Sequence, residues 1–93
     1  MAEKVLFVDD DINLLTIIQR NFRKRFDITL ADSPEGALDI LQSEGPFGVI
    51  VSNLRMPRIS GVELLTRAAA EWPDTIRILL TAEADAKAAI DAY

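Results

Sequence analysis

Val49-Ile50-Val51-Ser52-Asn53-Leu54-Arg55-Met56-Pro57 reads as a buried strand that ends in polar residues and a turn. The run is short, apolar and β-branched, as expected of a strand covered on both faces. Far upstream, Val5-Leu6-Phe7-Val8 has the same character and ends in Asp9-Asp10-Asp11. Two buried strands with such ends suggest one shared site at the carboxyl edge of a parallel sheet. With a carboxylate at position 53, three acids would converge there. That is enough to hold a hard divalent cation and leave one acid as a nucleophile. The chain carries Asn53 instead, and an amide cannot be a phosphate-accepting carboxylate. The pattern is the shell of a phosphoryl-transfer site with its nucleophile missing.

The rest of the chain alternates strand and helix signals. Residues 4–9 form the first strand. Residues 11–24 switch to helical spacing, with Leu14, Leu15, Ile18 and Phe22 on one face and Asp10 or Asp11 as cap. Residues 27–31 are a weaker strand. Ser33-Pro34-Glu35 starts a second helix: Ser caps, Pro takes the first helical position and an acid follows. That helix is expected to bury Ala37, Leu38 and Leu41 and to stop near Gly45-Pro46. Residues 47–52 are the third strand. Ser60-Gly61-Val62-Glu63 has the capping-box pattern and opens a third helix, with Val62, Leu65 and Ala69 as its expected inner face. Trp72-Pro73-Asp74 ends it. Residues 76–80 are the fourth strand, followed by Thr81-Ala82 and a helix over the Ala-rich segment 83–92.

Strands joined by helix-length crossovers make a parallel sheet covered on both faces. The expected fold is α/β: a flavodoxin-like, doubly wound parallel sheet of four βα units, strand order 2-1-3-4, one domain over residues 1–93. That order gathers Asp9, Asp10, Asn53 and Thr81 in one crevice.

Composition excludes several functions. The net charge of −5 argues against nucleic acid or an anionic membrane as partner. The basic cluster Arg20, Arg23, Lys24 and Arg25 suits the C-terminal end of a helix dipole. With no cysteine, disulfides and thiolate chemistry are ruled out. With no histidine, the chain cannot itself be a histidine phosphate donor. No apolar run approaches the roughly 20 residues of a membrane span, and no signal-peptide pattern opens the chain. A cytoplasmic location is expected.

Taken together, Val8-Asp9-Asp10, the turn Leu54-Arg55-Met56-Pro57 with Gly61 after it, and Thr81-Ala82 resemble the receiver domain of two-component response regulators. The resemblance runs from Lys4 to the last helix. Ser52 to Leu65 looks especially like receivers that precede output domains in bacterial regulators. The resemblance implies that Asn53 stands at the phosphoacceptor position, which takes a phosphoryl group from a sensor histidine kinase. It implies Mg²⁺, or Mn²⁺, held weakly by Asp10, by Asp9 directly or through water, by Asn53 and by the Arg55 backbone carbonyl. It makes Thr81 the switch hydroxyl. The chemistry agrees, because phosphoryl transfer needs positioning and charge neutralisation more than covalent help.

Two departures from the family pattern stand out. Asn53 is what a substitution locking the unphosphorylated state would leave, and what a natural pseudo-receiver would show; the intact surroundings favour the first. The sequence also stops after four βα units, without a fifth strand and its phosphate-binding Lys. The expected function is a non-phosphorylatable receiver, not an enzyme, that binds Mg²⁺ and protein partners: the kinase, and an output domain or downstream protein. The alternatives are a metal-independent interaction domain and a phosphohydrolase using Asp9 or Asp10. The second lacks the spaced Asp-x-Asp of such enzymes. An open, apolar fourth strand, Ile76-Arg77-Ile78-Leu79-Leu80, predicts a homodimer through that edge or through helix 4.

Overall fold

The computed structural model describes residues 3–81. Four strands and three helices alternate: β1 (Glu3–Val8), α1 (Ile12–Phe22), β2 (Phe26–Ala31), α2 (Pro34–Glu44), β3 (Val49–Asn53), α3 (Gly61–Glu71) and β4 (Ile76–Leu80). All strand pairs are parallel, in the order β2-β1-β3-β4. This is the expected flavodoxin-like, doubly wound arrangement. The helix expected over 83–92 lies outside the described residues.

The helix starts follow the capping chemistry in the sequence. Asp11, Ser33 and Ser60 each accept a backbone N–H from three residues on, at 3.2, 3.0 and 3.2 Å. Each such cap is worth about 1 kcal/mol. The side chain of Glu63 lies 3.6 Å from Arg67 one turn on, a surface ion pair.

The larger core lies between the sheet and α2 and α3. Leu6, Val8 and Ile50 meet Ala37, Leu41, Leu64 and Ala68 there. Leu6, Leu41, Ile50 and Leu64 are fully buried, each stabilising the fold by roughly 1.5–3 kcal/mol. Strand alternation turns Val5 and Val51 to the opposite face, where α1 contributes Leu15 and Ile18.

Two expected helix faces need correction. The inner face of α3 is Gly61, Leu64 and Ala68; Val62 is exposed and Leu65 and Ala69 are half-buried. The expected face is off by about one position, because Val62 and Leu65 fall on the shoulder of the apolar stripe. On α1 only Leu15 and Ile18 are buried, while Leu14 and Phe22 lie at its exposed margins. On α2, Leu38 packs at the rim of the core beside Ala37 and Leu41.

Candidate functional site

The strand register builds the site. Val8 pairs with Ser52, and Asn53 pairs with Leu80. β1 ends one residue before β3 and β4, so Asp9 lies level with Asn53 and Leu80, and Leu54 and Thr81 follow. Asp9 stays tied to the sheet, its N–H donating to the Ala31 carbonyl at 3.1 Å, and the Leu54 N–H donates to the Leu80 carbonyl at 3.0 Å. Thr81 is half-buried, one residue past the partner of Asn53.

Three consecutive aspartates take three different places. Asp9 is buried, and its Oδ1 accepts the Asp11 N–H at 2.9 Å. Asp10 is exposed at the mouth of the site. Asp11 turns away to cap α1. Burial pushes the Asp9 carboxyl above the ordinary range. The neighbouring carboxyls of Asp10 and Asp11 push the same way, against the opposing Asp11 N–H.

Asn53 closes the other side. Its Nδ2 donates to the Arg55 carbonyl at 3.0 Å. The following loop is held at both ends. The Gly61 N–H donates to the Leu54 carbonyl at 2.8 Å. A Cβ at Gly61 would overlap the Asn53 carbonyl, so only glycine lets the start of α3 approach β3 so closely. At the loop tip, Arg58 adopts a left-handed φ of 69°. Its Nε lies 2.6 Å from Glu35 Oε2 at the start of α2.

The Glu35–Arg58 link was not legible beforehand. Glu35 reads as a first-turn acid of a helix, and a left-handed Arg carries none of the Gly or Asn signal of such a backbone. Asp9, Asn53 and Thr81, by contrast, stand at adjoining strand ends as expected.

The donor set suits a hard cation on its acidic side. Burial first, and the neighbouring acids Asp10 and Asp11 second, raise Asp9, and a divalent ion would offset both. Among the described residues no group of three His, Cys, Asp or Glu side chains could hold a metal. Further ligands would have to be neutral oxygens, such as a side-chain amide or a main-chain carbonyl.

A model of the response regulator receiver domain matches residues 5–93. The chain belongs to the response regulator receiver domain family. It is 30% identical over 83 residues to the hydrogenase transcriptional regulatory protein HoxA of Cupriavidus necator, covering 89% of this chain and 17% of HoxA. In fold it is similar to a structure of adenylate cyclase from Rhodopirellula baltica, with a TM-score of 0.91 and 34% identity, covering 99% of this chain and 68% of that one. It is also similar to the signal receiver domain of an HD domain-containing protein from Pseudomonas fluorescens. There the TM-score is 0.88 and the identity 28%, over 99% of this chain and 74% of the other. The chain spans less than a fifth of the regulators HoxA and NtrC that it resembles, 17% and 19% of their lengths. Receiver domains are regulatory units, and the output of those regulators lies beyond the matched part. Among the described residues no helix is long and apolar enough to cross a membrane.

Proposed function

We propose that this receiver binds a divalent cation weakly, accepts no phosphoryl group, and acts through protein contacts. The observation that carries this reading is Asn53 at the end of β3, level with the Asp9–Asp10 pair. A carboxylate there would attack phosphorus through an anionic oxygen. The amide has no such oxygen and is a poor nucleophile.

Asp9, Asp10, Asn53 Oδ1 and the Arg55 carbonyl would hold Mg²⁺ or Mn²⁺. The ion would supply charge neutralisation for a phosphoryl group. Asp9 fixes the geometry through its bond to the Asp11 N–H, Asp10 supplies charge at the mouth, and Thr81 offers a hydroxyl at the adjoining strand end. A magnesium titration followed by amide shifts tests this assignment. Asp10→Ala should abolish the response, and an unchanged isotherm in that variant would rule the site out.

The partners are a sensor histidine kinase and an output domain or downstream protein, in a cytoplasmic two-component pathway. Among the described residues the alternate side chains Ile76, Ile78 and Leu80 of β4 share one face of the sheet and are 61%, 42% and 44% exposed, an apolar face open to a protein partner. One observation favours the metal-independent alternative: the Arg55 carbonyl is already bonded to the Asn53 amide.

A further inference from the structure

We infer that the Asn53 amide replaces a cation as the bridge between side chain 53 and the Arg55 carbonyl, so the loop from Leu54 to Ser60 keeps its site conformation without metal. The inference rests on the reading of Asp9, Asp10 and Arg55 as cation ligands. A carboxylate at position 53 would set acceptor against acceptor, since neither it nor a carbonyl carries a proton. Such a pair needs a cation or water between its members. The amide brings its own donor, and Nδ2 reaches the Arg55 oxygen at 3.0 Å. The orientation follows from the chemistry: a flipped amide would set Oδ1 against the carbonyl oxygen.

The rest of the loop is closed with the chain's own groups. The Leu54 N–H bonds the Leu80 carbonyl at 3.0 Å, the Ile59 N–H bonds the Pro57 carbonyl at 2.8 Å, and the Gly61 N–H bonds the Leu54 carbonyl at 2.8 Å. Ser60 caps α3, and Arg58 ties the tip to Glu35 on α2. The bridge at Asn53 completes this set at the end nearest Asp9. An arriving cation would have to share the Arg55 carbonyl with the amide, which already holds one of its two lone pairs. Asn53 therefore weakens the cation site twice, by withholding a charge and by engaging a ligand.

Amide hydrogen exchange, read by NMR on the whole chain with and without magnesium chloride, tests the bridge. Without magnesium, the Leu54, Ile59 and Gly61 amides should exchange about fivefold faster in Asn53→Ala than in the unaltered chain, the ~1 kcal/mol of one hydrogen bond. Magnesium should leave loop exchange in the unaltered chain unchanged and slow it in Asn53→Asp. Equal exchange in the unaltered chain and Asn53→Ala would overturn the inference. So would a magnesium-induced slowing in the unaltered chain as large as in Asn53→Asp. The Leu6 and Ile50 amides report whether a variant has kept its fold. If Asn53→Ala loses it, the Asn53→Asp comparison decides alone. If magnesium moves neither the Asp10 nor the Asp11 signal in any variant, the cation reading fails, and the Asn53→Ala comparison still judges the bridge.

Discussion

Arg58 pairs with Glu35 at 2.6 Å from a backbone held at a φ of 69°. A left-handed conformation costs a non-glycine residue roughly 1–2 kcal/mol. The pair is solvent-exposed, Arg58 most of all, so it offsets little of that cost. Arg58→Gly should therefore leave stability equal or raise it by up to about 1 kcal/mol. Arg58→Ala, which keeps the strain and loses the partner, should lower it. Urea unfolding of the two variants checks the opposite signs.

Acid should loosen the same link. Its own backbone N–H first, and Arg58 second, hold the Glu35 carboxyl below its ordinary 4.5. A depressed folded pKa gives a contribution present above 4.5 and lost as pH falls through the folded value. The protection of the Ile59 amide, taken relative to the intrinsic exchange rate at each pH, should fall over that acid range in the unaltered chain. In Arg58→Ala the fall should be smaller.

Asp9 has the opposite sign. Its folded pKa is raised above 3.8, so the folded state keeps a proton that the unfolded chain has lost. Stability falls as pH rises through that window and stays lower above it. Asp9→Asn keeps an oxygen to accept the Asp11 N–H and removes the buried charge. Thermal unfolding at neutral pH should show Asp9→Asn above the unaltered chain without magnesium. Saturating magnesium should narrow or reverse the difference.

Gly61→Ala separates helix propensity from packing. Alanine is the better helix former by about 1 kcal/mol. Here its Cβ would meet the Asn53 carbonyl and approach Leu79 Cδ1 to 2.9 Å. Overpacking of this kind costs about 1–3 kcal/mol, so the variant should be less stable despite the propensity. On the same helix, Leu64→Ala should cost about 2–5 kcal/mol, and Val62→Ala well under 1, by denaturant unfolding.

Much of this architecture was legible in the sequence. Continuous apolar runs at Val5–Val8 and Val49–Val51 identified covered parallel strands, and Ser33-Pro34 and Ser60 marked the helix starts. The adjoining ends of β1, β3 and β4 followed from the strand order, which brought Asp9, Asn53 and Thr81 to one edge. Two kinds of fact stayed hidden. Val62 and Leu64 both lie in an apolar stretch of α3, and only packing decides which of them faces the sheet. The Asn53–Arg55 and Glu35–Arg58 bonds depend on loop backbone angles, which no residue type at those positions announces.

The most direct test is intact-protein mass spectrometry after incubation with acetyl phosphate and magnesium, for the unaltered chain and Asn53→Asp. The unaltered chain should keep its mass. Asn53→Asp should gain one phosphoryl group, slowly, in a hydroxylamine-labile form. A hydroxylamine-labile phosphoryl adduct on the unaltered chain would contradict the account.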